Sequence, residues 1–460
     1  PCSIIMLEAN YNTETDTNVP YTKNFVFDAG VEVFPEGIFS GCNYLENLTL
    51  PSTLKTIGSN STKFSYGLDD DTFEGFGCLS FLSHIKEIIL PEGLTFIGSN
   101  CLKGLGGSEK GNTILTICST LQEIGEGALS AMSFGVKEII LNEGSTLFSL
   151  LNGVLFDFDL TTLICYPHGL NAASYIIPDG VTKIWNSAFW SNDYLETVTV
   201  PEGVTKISDG TFNAMKNLTT LNLPSTLLEI GERAPMNKIA GVLTLFTGTF
   251  TYSPKLQNIN YPNGCNVEFF GYGTFAFSMR ETLEIPASVT ELFMPFIGMT
   301  SLTSFTVEEG SQSFMSQDGV LYSLDGLTLV AYPLGKTETI FAVPEGVTAI
   351  GIGAFIANTT LQEIILPSTL KRLETGAFNS CTFSSITLPA SIEYIGANVF
   401  DGNNNLTSVT ILSLIPPQLF EEVYIYQVFN GADIYVPAEA LDTYIKAWPD
   451  LNWYIKAISE

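Results

Sequence analysis

The sequence predicts a strand-rich α/β solenoid, a chain wound into about 15 short units of about 23 residues each. The first sign is a passage written twice. PDGVTKIWNSAFWSNDYLETVTV begins at Pro178, and PEGVTKISDGTFNAMKNLTTLNL begins at Pro201. Pro178, Val181, Ile184, Phe189, Leu195, Val198 and Val200 recur as Pro201, Val204, Ile207, Phe212, Leu218, Leu221 and Leu223. The second sign is a short apolar-polar-apolar alternation just before each proline, as in Leu48-Thr49-Leu50, Val198-Thr199-Val200 and Ile386-Thr387-Leu388. That alternation is a strand with one face buried. The third is phenylalanine returning at one slot of the unit.

Taking the proline slot as anchor, whatever residue fills it, the units begin at Asp28, Pro51, Pro91, Cys118, Asn142, Pro178, Pro201, Pro224, Pro262, Pro286, Glu308, Pro344, Pro367, Pro389, Leu412 and Pro437. Proline ends each strand because it has no N–H for the ladder. Ten and eleven residues later come Ile38-Phe39, Ala188-Phe189, Thr211-Phe212, Ala354-Phe355, Ala377-Phe378 and Val399-Phe400. Rings that recur at one slot are expected to stack as an internal spine.

Leu366-Pro367, Leu370, Leu373, Ala377-Phe378, Cys381, Ile386 and Leu388 closely resemble the repeat of BspA-like (Treponema-type) leucine-rich-repeat surface proteins of gut and oral bacteria. The departure is Glu374, where that repeat has glycine. The resemblance runs from about Phe25 to Val436. It implies a right-handed leucine-rich-repeat solenoid with a parallel sheet on its concave face. It also implies a secreted or surface-anchored bacterial protein, often one linked to adhesion, although a shared fold transmits function loosely.

On this ruler the expected domains are an N-terminal cap over 1–24, the solenoid over 25–436 and a C-terminal cap over 437–460. Asn142–Pro178 and Glu308–Pro344 are both 36 residues long and match each other: Gly153-Val154-Leu155-Phe156 with Gly319-Val320-Leu321-Tyr322, and Tyr166-Pro167 with Tyr332-Pro333. A β-hairpin is expected in each, near 150–170 and 316–336, turning at Asp157–Thr161 and Ser323–Gly326. It is read as a stiffening clip or a binding device. Two longer insertions are private to this chain: 59–84, carrying Asp69-Asp70-Asp71, and 236–254, rich in Gly, Thr and aromatics. Insertions of this kind lie on one face and are candidates for specificity. After the last strand, Ala438–Trp448 reads as an amphipathic helix with Leu441, Tyr444, Ile445 and Trp448 on one side, able to cover the open core.

The chain is 45% hydrophobic and 15% charged, with a mean hydropathy of +0.25, the reverse of a disordered composition. No apolar run reaches the roughly 20 residues of a membrane helix, so no membrane insertion is expected. Forty-eight acids against 19 bases give a net charge of −29, which repels phosphate backbones and anionic lipid. Nucleic acid is therefore not an expected partner. The charge serves solubility or a basic partner. Eight scattered cysteines without a CxxC make neither a disulfide scaffold nor a zinc site. Cys42 and Cys381 share one repeat position, which suggests small buried thiols in a turn.

Chemistry finds little footing. The two histidines, His84 and His168, both lie in insertions. His168 with Asp157 or Asp159 lacks the elbow motif of a hydrolase. Asp69–Asp71 lacks a calcium-loop frame, and no phosphate- or dinucleotide-binding glycine pattern sits between a strand and a helix. No catalytic residue, metal or cofactor is expected.

The surface that remains is the outward slot of the sheet: Thr49, Ile89, Thr116, Thr199, Asn222, Asn260, Glu284, Thr306, Thr387 and Thr410 are the candidate binding residues. Such columns also suit strand propensity and solubility. The leading expectation is a non-catalytic, monomeric, extracellular or cell-surface module, its signal or lipid anchor removed, binding a protein or glycan on host or neighbouring cells through the concave face and the insertions. The alternative is a structural spacer of the cell envelope without a selective ligand. A hydrolytic enzyme ranks last.

Overall fold

In the computed structural model the described residues are 24–27, 30–35, 38, 39, 42, 45–59, 78–80, 82–106, 111–125, 127–129, 135–232, 248–262, 264–420 and 428–458. They form a β-solenoid of about 16 turns with very little helix. Among them, one compact unit runs to Thr226 and takes in Asn258–Tyr261, and a second comprises Leu227–Gln257 and the residues from Pro262 onward. Most of the two private insertions and the N-terminal segment before Asn24 lie outside the described residues.

Each turn contributes one strand to a parallel sheet and a second, two-residue strand to a narrow ladder. The first unit holds two such sheets, one of Asn24–Val26, Asn47–Thr49, Glu87–Ile89, Thr113–Ile117 and Val136–Leu141 and one of Ser174–Ile176, Thr197–Thr199, Thr220–Asn222 and Asn258–Asn260. Alternation sets which side chains are inside. Leu48, Ile88, Val198 and Leu221 are buried, while the residues on either side of each face outward. In the second unit the outward strands pair as Thr282–Ile285 with Ser304–Val307 and Ile340–Ala342 with Glu363–Ile365. A last set runs Ser385–Leu388, Ser408–Ile411, Asp433–Val436 and Ile455–Ala457.

The turn after each strand exists in two chemical versions. In Pro201-Glu202-Gly203-Val204 the glycine has φ +100°, the left-handed setting of a type II turn that residues with a Cβ resist. In Pro224-Ser225-Thr226-Leu227 no residue has positive φ. The Thr226 hydroxyl accepts from Gly203 N–H at 2.9 Å and donates to Val204 O at 2.9 Å. Thr53 with Gly30 and Val31, and Thr369 with Gly346 and Val347, repeat both bonds. One threonine thus satisfies two backbone groups of the turn below it.

Inside, five of the six recurring phenylalanines stack, while Phe39 packs edge-on against Phe25 and Phe27 at 5.5 and 5.7 Å. Tyr166, Phe189 and Phe212 have centroids 5.3 and 5.2 Å apart in the first unit. In the second, Tyr332, Phe355, Phe378, Phe400 and Phe429 follow at 5.3, 5.3, 5.8 and 6.1 Å, and Trp448 lies 5.7 Å beyond. Burying each of these rings stabilises the core by on the order of 2–3 kcal/mol.

The two 36-residue units each hold a three-stranded antiparallel meander rather than one hairpin: Phe148–Leu151, Val154–Asp157 and Thr162–Cys165, and likewise Phe314–Gln317, Val320–Ser323 and Thr328–Ala331. The first turn is Asn152-Gly153 (φ 52° and 82°) in one and Asp318-Gly319 (φ 52° and 79°) in the other. Positive φ at both central residues is the type I′ geometry that matches strand twist. The third strand then rejoins the narrow ladder in parallel, Leu163 beside Ile184 and Leu329 beside Ile350.

At the C-terminal end Ala438–Ala440 is a 3-10 turn and Leu441–Ala447 a short α-helix. Tyr444 and Trp448 are buried, but Ile445 is exposed, because it follows Tyr444 by one residue and so points about 100° away. Cys381 is buried as expected, whereas Cys42 is half-buried.

Candidate binding face

The ten candidate residues all lie on the outward side of the parallel sheet. Thr49, Ile89, Asn260, Glu284, Thr306 and Thr387 are exposed, and Thr116, Thr199, Asn222 and Thr410 are half-exposed. The register brings several together on adjacent strands: Ile89 with Thr116, Thr199 with Asn222 and Asn222 with Asn260. Glu284 pairs with Thr306, and Thr387 with Thr410, in the second unit. Thr49 lies beside Val26 on one side, and on the other the parallel pairing of Asn47 with Glu87 carries it toward Ile89.

One run is bonded through its side chains. Asn222 Nδ2 donates to Thr199 Oγ1 at 3.0 Å, and Asn260 Nδ2 donates to Asn222 Oδ1 at 2.7 Å. Each amide is held in one orientation by its neighbour, so the three side chains present a fixed pattern of donors and acceptors. The same slot carries aliphatic side chains that the candidate set passed over: Ile140, Ile176 and Ile365, at 42, 73 and 49% exposure. Their signal was the slot itself, since every occupant faces outward whatever its polarity. Lys456, beside Tyr435 on the added final strand, continues the slot past the last proline anchor.

The catalytic candidates do not assemble. His168 is buried, its ring 5.2 Å from that of Tyr194 and its backbone N–H donating to Val136 O; His84 is half-buried. Asp157 instead closes its own turn, accepting from Thr161 N–H at 2.7 Å, Thr161 Oγ1 at 2.7 Å and Thr162 N–H at 2.9 Å. Burial is the largest influence and raises its pKa, but the Thr161 and Thr162 hydrogen bonds together outweigh it and hold the carboxyl below 3.8. Burial pushes the Cys165 and Cys381 thiols up to about 12, the wrong direction for a nucleophile. Among the described residues no three His, Cys, Asp or Glu side chains cluster as a metal site, and no helix is long and apolar enough to cross a membrane. The Asp69–Asp71 run lies outside the described residues.

A cavity of about 340 Å³ opens in the second unit, where the narrow ladder is interrupted between Glu291–Leu292 and Thr328–Ala331. Leu292, Met294, Phe296, Ile352 and Ile356 line it, with Glu291 and Glu374 also at its wall.

A family model described as a BspA type leucine-rich repeat region, in six copies, matches residues 17–135, 165–239, 237–322 and 335–435. The chain belongs to this family. Solved structures similar to it include the pneumococcal vaccine antigen PcpA, with 21% identity, 81% of this chain and 94% of that one covered, and a TM-score of 0.47. A leucine-rich cell surface protein from Faecalibacterium prausnitzii A2-165 is 18% identical over 96% of this chain and 89% of that one, at 0.40. A leucine-rich repeat protein from Bacteroides ovatus is 20% identical over 95% and 84%, at 0.36. No curated protein matches.

Proposed function

We infer that this BspA-type protein is a non-catalytic interaction module, displayed outside the cell or on its surface, that binds a protein or glycan on host or neighbouring cells through the outward sheet face. The observation that carries the reading is the Thr199–Asn222–Asn260 ladder, an ordered row of amide and hydroxyl groups on an extended exposed sheet. Fixed donors and acceptors along a broad face suit sugar hydroxyls or an extended polypeptide. A broad face of this kind offers little to a compact small molecule, which needs a pocket that encloses most of its surface. The net charge of −29 favours partners that are neutral or basic and disfavours nucleic acid.

The test is binding of the purified chain to arrays of glycans and extracellular-matrix proteins. Reproducible binding to a defined class, competed by an excess of that class in solution, supports the module. Uniformly negative arrays would sink this reading and leave the envelope spacer.

A further inference from the structure

Three consecutive turns place equivalent residues in one buried column: Cys78-Leu79, Cys101-Leu102 and Ala128-Leu129. Leu79 N–H donates to Cys101 O at 2.9 Å, and Leu102 N–H donates to Ala128 O at 2.9 Å, so each turn sits directly on the next. Parallel neighbours in such a column have Cα atoms about 4.8 Å apart, within the roughly 4.4–6.8 Å that a disulfide spans. Both cysteines are fully buried.

Their sulfurs converge on a single point. Gly58, at φ +75°, lacks the Cβ that would otherwise fill the space. An added Cβ there would collide with Cys101 Sγ and lie 3.2 Å from Cys78 Sγ. The two thiols therefore share the pocket left by one missing side chain. Each is oriented by a backbone carbonyl, Cys78 Sγ by Pro35 O at 2.8 Å and Cys101 Sγ by Ile57 O at 3.6 Å. Sulfur is a weak hydrogen-bond donor.

We propose that Cys78 and Cys101 are a disulfide-forming pair that closes one complete turn of the solenoid into a covalent ring. The oxidant is a low-molecular-weight disulfide. One cysteine thiolate attacks it, forming a mixed disulfide and releasing one thiol. The second cysteine then attacks the protein sulfur of that mixed disulfide and releases the second thiol. One protein S–S bond forms and the oxidant's S–S bond is broken. Two electrons and the two cysteine protons end on the released thiols. Because both sulfurs are buried, exchange proceeds during folding or through local opening. The ring would contain the strand Glu87–Ile89, so it fixes part of the outward face. It also ties the chain leaving the first long insertion to the turn above it.

The sequence makes the test unambiguous. Trypsin cleaves after Lys63, Lys86 and Lys103, leaving Cys78 the one cysteine of peptide 64–86 and Cys101 the one cysteine of peptide 87–103. The chain is folded in a buffer of oxidised and reduced glutathione, alkylated, digested and analysed by mass spectrometry. The expected product is a linked pair of these peptides, two hydrogens lighter than the two thiols together, which separates on reduction. Cys101→Ala removes the linked species, and alanine fills the same slot at Ala188, Ala354 and Ala377. The oxidised parent melts higher than the reduced one, whereas Cys101→Ala melts identically with and without reductant. Two separately alkylated or glutathione-capped peptides, or Cys78 linked to any other cysteine, would overturn the proposal.

Discussion

Ser225 grips Glu202 of the turn before it with two bonds. Its N–H donates to Oε1 and its hydroxyl to Oε2, both at 2.9 Å. Ser119 holds Glu92 and Ser368 holds Glu345 in the same way. Together with the threonine that follows, this makes a lock wherever a Glu-Gly turn is stacked on a Ser-Thr turn. The lock predicts a pH dependence. Ser225's N–H, then its hydroxyl, hold the Glu202 carboxyl below 4.5; for Glu92 the Asn142 amide is the leading cause, followed by Ser119 N–H. A carboxylate depressed in the folded state binds fewer protons there than in the unfolded chain. Its stabilisation is therefore complete above about 4.5 and is lost as pH falls through the depressed value. Melting curves of the parent and Glu202→Gln should differ at pH 7 and converge on acidification. A constant gap down to pH 3 would refute the lock's electrostatic origin.

The spine predicts a larger effect. Phe212 is fully buried and stacked 5.2 Å from Phe189. Phe212→Ala should cost about 3–5 kcal/mol, the range for removing a core aromatic that its surroundings cannot refill. Urea unfolding would show it as a fall in midpoint at unchanged slope. Melting like the parent would mean the rings do not carry the core.

How much of this was legible follows from what repeats. The proline anchor and the alternation placed Leu48, Val198 and Ile386 inside because strand period and slot agree in every unit. The ring column was legible for the same reason, except for Tyr166, Tyr332 and Phe429, the last of which lies past the expected slot of the Leu412 unit. These tyrosines precede a proline inside the long units, so they fall off the ruler although they join the stack. The meanders were half seen. The expected turns at Asp157–Thr161 and Ser323–Gly326 join the second and third strands, while Asn152-Gly153 and Asp318-Gly319, the stronger hairpin signal in the sequence, join the first and second. Pro224 and Pro262 are consecutive anchors, so the slot alone puts Asn222 and Asn260 on adjacent strands although 38 residues separate the prolines. Only the fold shows that their side chains are hydrogen-bonded to each other.

Those glycines are a third point of test. Gly319 has φ +79°, and a Cβ there would lie 2.8 Å from Ser304 Oγ and 3.1 Å from Ser304 Cα. Gly319→Ala thus meets both backbone strain and a contact with main chain that cannot swing away. It should destabilise by about 1–3 kcal/mol, read by denaturant unfolding. Gly310 also has positive φ but nothing within 4 Å, so Gly310→Ala should cost less. Equal costs would remove the close contact from the account.

The outward face makes a functional prediction. Asn222 sits in the middle of the ladder, so Asn222→Arg breaks both side-chain bonds and adds bulk and charge to the face. Stability should fall by only about 1 kcal/mol, the net worth of exposed hydrogen bonds. Binding to any positive glycan or matrix class should fall at least tenfold. Unchanged binding would move the site off this part of the sheet.

The stack of rings in the second unit needs something to close it. Trp448 lies 5.7 Å from Phe429 and edge-on to Tyr444 at 5.0 Å, and the Tyr444 hydroxyl donates to Ser413 O at 2.9 Å. Two contributions can be separated here. Trp448→Ala opens the end of the ring column to water and should cost about 3–5 kcal/mol. Tyr444→Phe keeps the edge-on packing and removes one hydrogen bond, so it should cost about 0.5–1.5 kcal/mol. If Tyr444→Phe is the more damaging of the two, the terminal helix is held by its hydroxyl anchor. Covering the rings would then be the minor contribution.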